Sequence, residues 1–245
     1  MIIPVHNELK FTLSCLDSLL SHRSQHLFEV IVADDSSTDG TVEAVSRLPV
    51  RLHRNSGDKG FVGNCNHAAQ FATGRNIVLL NNDVVLLPQW LDELVDELNA
   101  DPTVGIVGSR LIWPNGKLQE AGSVIYSNGK TIRIGNKADP TKPEYNHARE
   151  VDFISGASIG IQTALWRKLG GFDRIFSPGY YEDVDLAFRV RELGYKVIYK
   201  PESALIHFGS MSFSDTATEL MARNRSKFLK KWHKNLARHE QEPLG

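Results

Sequence analysis

Cysteine is scarce in this chain of 245 residues: Cys15 and Cys65 are the only two. Two thiols cannot build the disulfide framework of a small secreted domain or a cysteine-based zinc site. No apolar run approaches the roughly 18 residues of a membrane span. The opening Met1-Ile2-Ile3-Pro4 has neither the charged nor the apolar region of a secretory leader. An excess of one charge is missing too. The 28 basic and 29 acidic side chains leave a formal net charge of −1, without the basic surplus of a dedicated nucleic-acid binder. Internal repeats and low-complexity tracts are absent. With 41% apolar and 23% charged residues, ordinary globular values, the chain can bury a full core as one large domain or two small ones. The expectation is a soluble protein of the reducing cytoplasm that binds no nucleic acid.

The first half alternates two periodicities. Short β-rich runs occupy residues 28–33, 50–53, 77–80 and 104–107, after a brief one at Ile2–Val5. Helix-like stretches fill 9–20, 41–48, 60–72 and 88–98. The last opens with Pro88 at a first-turn position and carries Trp90, Leu91, Leu94, Val95 and Leu98 at helical spacing. Such alternation builds parallel βαβ units with right-handed crossovers. Ligands of these sheets bind beyond the carboxyl ends of the strands. From about Ser109 to Val151, Gly and Asn punctuate short β segments, which read as hairpins and a loop over one sheet edge. Helical pattern returns at 163–169 and 184–193, strands at 196–199 and 204–207, and a terminal helix at 216–239. A first strand of four residues is short for a buried one, which implies a chain cut from a longer polypeptide.

Polar clusters stand where strands end. Pro4-Val5-His6-Asn7-Glu8 follows the first run, and Asp34-Asp35-Ser36-Ser37-Thr38-Asp39-Gly40-Thr41 the second. Asp39 suits a helix cap, which leaves the Asp34-Asp35 pair open as a ligand or a turn. Asn81-Asn82-Asp83 follows the fourth run, at 77–80, and a carboxylate there is well placed for Mg²⁺ or Mn²⁺. The segment from Asn55 to Asn64, with Lys59 and Gly60, supplies glycines and a lysine that could approach a diphosphate. It is not a G-x-x-x-x-G-K-[ST] loop, so a kinase or GTPase is disfavoured.

Tyr180-Tyr181-Glu182-Asp183-Val184-Asp185 opens a helix. Acids there favour the helix dipole, yet three in four residues exceed what capping needs. Asp185 can pair with Arg189 at i+4, leaving Glu182 and Asp183 available. His207 ends an apolar strand; a lone histidine is more often structural unless another ligand lies near. The terminal helix carries a dense basic face around an apolar stripe of Phe228, Leu229, Trp232 and Leu236, suited to docking on protein or to a membrane surface.

In this order, the segments IIPVHNE, VADDSSTDGT, NSGDKGFVGNCNHA, LLNNDVVL, DFISGASIGI, LGGFD, YYEDVDLAFRVRELGY and IHFGS resemble the family-2 glycosyltransferases of GT-A fold. The likeness points to the rhamnosyltransferase-like and O-antigen-type bacterial branch. It implies an α/β fold with a mostly parallel, Rossmann-like central sheet flanked by helices and a C-terminal helix. It implies a glycosyltransferase domain over residues 1–215, with a nucleotide-binding half about 1–108 and an acceptor half about 109–215, then a helical extension over 216–245. Pro4, His6, Glu8, Asp34 and Asp35 would line the nucleoside pocket, with Lys59, Gly60, Asn64 and Asn82 also on the donor side. Gly156 and Ala157 would floor the site beside both sugars. Asp83 fills the last position of the family's D-x-D motif and Asn81 replaces its first Asp. Asp83 and His207 would hold Mn²⁺ or Mg²⁺. Asp183 matches the catalytic base, with Glu182 beside it.

The activity implied is inverting, metal-dependent transfer from a UDP- or dTDP-linked sugar to a glycan acceptor, carried on a lipid or free, in bacterial surface polysaccharide synthesis. It implies a cytoplasmic place, at or near the inner face of the plasma membrane, and neighbouring domains in a longer polypeptide. Two other readings stay open. A nucleotidyltransferase shares nucleotide and Mg²⁺ binding on a similar sheet, but needs a basic glycine-rich loop where Pro4–Glu8 stands. A degenerate, non-catalytic carbohydrate-binding domain is favoured by Asn81 and opposed by Glu182, Asp183 and His207.

Overall fold

The computed structural model describes residues 1–57, 59–209 and 215–243. Asp58 of the glycine-bearing segment and Ser210 of IHFGS lie outside them. Strands β1 (Ile2–Val5), β2 (Ile31–Asp34), β3 (Arg51–Arg54) and β4 (Asn76–Leu80) alternate with helices α1 (Leu9–Leu20), α2 (Thr41–Val45) and α3 (Gly60–Ala69). Next come β5 (Val84–Leu86), α4 (Trp90–Ala100), β6 (Val104–Ile112) and β7 (Leu118–Glu120). A hairpin of β8 (Ser123–Ile125) and β9 (Thr131–Arg133) leads to β10 (Arg149–Glu150) and β11 (Ser158–Gln162). The chain closes with α5 (Thr163–Leu169), α6 (Glu182–Glu192), β12 (Lys196–His207) and α7 (Asp215–Leu236).

This is the α/β architecture the sequence implied. The main sheet runs β10-β12-β6-β11-β4-β1-β2-β3, with β5 on β12 and β7 on β6. The β4-β1-β2-β3 part is parallel, as is β6 with β12, and β11 lies antiparallel between β4 and β6. The central strands are buried on both faces, so they read as unbroken apolar runs such as Ile31-Val32-Ala33. Helix α4 buries Trp90, Leu91, Leu94, Val95 and Leu98, the stripe its periodicity implies. The Trp90 indole N–H lies 3.0 Å from the hydroxyls of both Ser109 and Ser158 and pins α4 to β6 and β11.

Several boundaries differ from the sequence reading. The run from Phe28 joins the sheet only at Ile31, because Leu27 and Phe28 lie on the surface. Pro88 does not open α4: Leu87 N–H bonds to Ala204 on β12, so the proline closes that contact and the helix starts at Trp90. Helices α2 and α3 end early, at Val45 and Ala69, where their last amides tighten into turns. The two short strands at 196–199 and 204–207 are one strand, β12. Its register against β6 slips between Lys200 and Ala204, where Pro201 has no N–H for the ladder.

The apolar stripe of α7 is docked. Phe228, Trp232 and Leu236 are buried, and the Phe188 ring of α6 lies 5.0 and 5.3 Å from those of Phe228 and Trp232. With that face covered by protein, the membrane-surface alternative loses the apolar side it needs. No described helix is long and apolar enough to cross a membrane. Trp232→Ala is expected to destabilise the fold by about 3–5 kcal/mol, read by denaturant unfolding. Lys230→Ala on the exposed face should stay within about 0.5 kcal/mol of the parent.

Candidate functional site

The clusters singled out in the sequence share one edge of the sheet, because the carboxyl ends of β1, β2, β4 and β12 and the amino end of β11 lie side by side. Met1 and Val5 carbonyls accept from β2 amides, so by alternation Pro4 turns its absent N–H toward β4. Pairing of β1 with β4 is confined to Ile2 and Leu79. The two strands therefore part at the point where strand order reverses, the crevice in which α/β sheets bind ligands.

One wall of this crevice is built on β1 and β2. His6 Nδ1 lies 2.6 Å from the Asp35 carbonyl. Asn7 and Glu8 both adopt left-handed backbone, φ 57° and 60°, a strain non-glycine residues accept where the surroundings hold them. Here the Asn7 N–H donates to Ser37 Oγ and its side chain accepts from Thr38 N–H. Gly40, not Asp39, is the N-cap of α2, yet Asp39 serves two helices: its oxygens accept from Thr41 N–H of α2 and Leu9 N–H of α1. Asp34 is fully buried, accepts from Ser37 N–H and faces Arg54 at 3.5 Å. Asp35 accepts from Gly60 N–H at 2.7 Å, and its other oxygen is buried without a partner. Gly60 has φ 83°, and a Cβ there would run into Pro178. Lys59 is exposed on this rim. The Asn64 amide donates to the Ala33 carbonyl and that of Asn82 to Thr12 Oγ1, so both brace strand ends against helices.

The centre belongs to Asp83 and His207, each under a tenth exposed. Strands β5 and β12 pair His207 with Val84, which sets His207 Nε2 3.2 Å from Asp83 Oδ1. Asn81 Nδ2 lies 3.3 Å from the same nitrogen. Two ligands at right angles, each about 2.1 Å from a small divalent cation, stand about 3 Å apart, so oxygen and nitrogen are spaced as neighbours on one ion. Among the described residues no third His, Cys, Asp or Glu completes a cluster. Water and phosphate oxygens are the usual complement for such an ion. Nearby Cys15 is buried with its thiol donating to the Asn81 carbonyl at 3.5 Å, and burial, reinforced by Asp83, pushes it up to about 12.

The opposite wall is acidic. Tyr180 and Tyr181 lead into α6 with φ 74° and 71°, a conformation held from α7, where the buried Asn224 amide donates to the carbonyls of Phe176, Gly179 and Tyr180 at 2.8–3.0 Å. Asp183 accepts from Gly156 N–H at 3.0 Å and from Val184 N–H at 2.8 Å. Burial raises its pKa above the ordinary aspartate value, against those bonds and the charge of Arg133. Glu182 is buried with one carboxylate oxygen unpartnered. Burial and the adjacent Asp183 push its pKa well up. Ala157 sits between the two halves, its carbonyl accepting from Asn81 N–H.

The family model of glycosyl transferase family 2 matches residues 1–154. This chain belongs to that family. Among curated relatives it is 31% identical to the O-antigen biosynthesis protein RfbC of Myxococcus xanthus, over 86% of this chain and 17% of that protein. A Sinorhizobium fredii protein, 29% identical, is spanned over 24% of its length. The N-acetylglucosaminyl-diphospho-decaprenol L-rhamnosyltransferase of Mycobacterium tuberculosis is 27% identical, over 86% of this chain and 76% of that enzyme. The fold superimposes on GalNAc-T7 solved with UDP, GalNAc and Mn²⁺, with TM-score 0.71 and 16% identity over 84% of this chain and 43% of that one. It also matches S. aureus TarS solved with UDP-GlcNAc, at 0.62 and 19% over 93% of this chain and 65% of that one. These likenesses place the chain among GT-A folds.

The sequence reading expected Asp83 and His207 to converge, and the structure brings them together; the reading placed Gly156 on the floor without its bond to Asp183, and it missed two residues of β7. Gln119 accepts from His207 Nδ1 at 2.8 Å. Glu120, buried, accepts from Ser155 N–H, faces Arg133 at 3.8 Å and adds its charge to the surroundings of Asp183. Burial lifts its pKa as well. The one available signal was Gln-Glu in a short segment between Gly116 and Gly122, too brief for periodicity.

The raised acids have a stability consequence with a definite sign. A carboxylate whose folded pKa is raised binds its proton more tightly in the folded state, so its ionisation weakens the fold as pH climbs through that pKa. Glu182→Gln is therefore expected to raise Tm at pH 7. The parent should gain stability relative to the variant as pH falls toward 5, and calorimetry over that range reads both trends.

Proposed function

We propose that this family-2 domain transfers a sugar, with inversion, from a nucleoside-diphosphate sugar to a hydroxyl of a glycan acceptor in bacterial surface polysaccharide synthesis. The observation that carries this reading is the pairing, on one sheet edge, of Asp83 with His207 and of Asp183 with the Gly156 amide. Inverting transfer is an in-line displacement at the anomeric carbon. It needs a base for the attacking hydroxyl and neutralisation of the leaving diphosphate, and no covalent nucleophile.

Asp183 takes the acceptor proton. Its raised pKa makes it a stronger base than an exposed aspartate, and the Gly156 and Val184 amides fix its orientation. Glu182 lies beside it on the acceptor side. Asp83 and His207 hold Mn²⁺ or Mg²⁺ together with donor phosphates. When bound, that cation supplies Lewis-acid stabilisation of the leaving group. Asp35 reads the base: its buried, unpartnered oxygen can accept the ring N–H of uracil or thymine, favouring UDP- or dTDP-linked donors. His6, Pro4, Glu8 and Asp34 shape that pocket. Lys59, Gly60, Asn64 and Asn82 frame the donor side, and Gly156 and Ala157 the sugar floor. The relatives named above support an acceptor in O-antigen-like or lipid-diphosphate-linked glycans, and a lipid-linked acceptor would put the domain at the cytoplasmic face of the membrane. The small share of the longer relatives that the chain spans supports neighbouring domains in a larger polypeptide.

A donor screen with Mn²⁺ or Mg²⁺, reading released nucleoside diphosphate, tests the class; excess chelator should abolish release. Asp183→Asn should cut single-turnover transfer by about 10²-fold or more with little change in calorimetric donor affinity. Glu182→Gln should spare the chemical step and weaken acceptor binding; the reverse pattern would move the base one residue upstream. UDP should compete for the donor site better than GDP, and Asp35→Asn should narrow the gap. Equal competition by both in the parent would remove Asp35 from base recognition.

A further inference from the structure

We infer that Gln119 is a positioning residue: its carbonyl fixes the tautomer of His207 so that Nε2 presents a lone pair to the divalent cation. The inference rests on the metal reading of Asp83 and His207 above and adds the part of the chain that prepares it. Gln119 is 1% exposed and its Oε1 lies 2.8 Å from His207 Nδ1. A carbonyl oxygen only accepts, so Nδ1 carries the proton. In a neutral imidazole Nε2 is then the acceptor, and it is Nε2 that faces Asp83 Oδ1 at 3.2 Å. The Asn81 amide nitrogen, 3.3 Å away, donates to that lone pair while no ion is bound, and a cation between Nε2 and Asp83 Oδ1 takes its place.

The backbone shows that this contact is built in. Strand β7 pairs with β6 through Leu118 with Ile112 and Glu120 with Leu111, with a register shift between them. Gln119 is the extra residue of that bulge. Bulges re-aim a side chain, and this one sends Gln119 to His207 while its neighbour Glu120 accepts from Ser155 N–H. The other half of the Gln119 amide, Nε2, is buried without a partner. An apolar residue would avoid that unsatisfied donor, so what the position gains is the carbonyl. Ligating histidines are commonly oriented in this way by an acceptor on the far ring nitrogen.

The test is Mn²⁺ binding followed by electron paramagnetic resonance, with UDP present, on the parent, Gln119→Met and Gln119→Glu. The methionine keeps length and loses the acceptor; the glutamate keeps an acceptor. Gln119→Met is expected to weaken Mn²⁺ binding about 10–100-fold, and Gln119→Glu to recover most of it. Equal Mn²⁺ affinity in the parent and the methionine variant overturns the inference, while no Mn²⁺ binding by the parent overturns the metal reading beneath it. Nitrogen-15 NMR of the metal-free parent checks the tautomer with no variant at all. A proton on His207 Nδ1 supports the inference, and a proton on Nε2 overturns it.

Discussion

Asp185 is the charge on which the acidic side of the crevice depends. It is fully buried, and its two oxygens meet the Arg189 guanidinium at 2.7 Å, the Trp232 indole N–H at 2.8 Å and Lys231 at 2.6 Å. Arg189 in turn donates to the carbonyls of Leu169 and Gly171. One carboxylate thereby joins α6, α7 and the turn after α5. A buried pair of this kind adds little net stability over an apolar isostere, but losing one partner costs about 3–5 kcal/mol. Its effect is to lock geometry: with Asp185 committed, the two acids ahead of it in the same turn keep their side chains for other work.

Both walls of the crevice are also held by strained backbone. Left-handed residues at Asn7 and Glu8 and at Tyr180 and Tyr181 flank the polar clusters, and each doublet is restrained from a different element, by Ser37 and Thr38 in the first case and by Asn224 in the second. The strain is local and the restraint is distant.

Features carried by long periodic segments were readable from the sequence. The alternation of β1 through α4 follows from apolar spacing, and Asp185 with Arg189 from the four-residue step of a helix. Asp34, Asp35, Asp83 and His207 could be placed at strand ends because strand ends were readable. What stayed hidden was set by pairing across the sheet. Nothing local distinguishes Ser158–Gln162 as an antiparallel strand inserted between β4 and β6, or joins 196–199 to 204–207 across Pro201. Gln119 and Glu120 escaped notice because a three-residue strand with a bulge has no period, and their meaning depends on what lies opposite. The basic face of α7 left docking and membrane contact open until its stripe was seen against Phe188.

The tether from Asn224 to the tyrosine turn also has a consequence in time. A ribosome delivers the sheet, the crevice and both acids of α6 well before α7 emerges, and domains fold progressively as they leave the tunnel. Until residue 224 is free, the turn at Tyr180 and Tyr181 has no amide to hold it. A nascent chain would thus carry most of this sheet with an unset acidic wall until α7, synthesised after both acids, supplies Asn224.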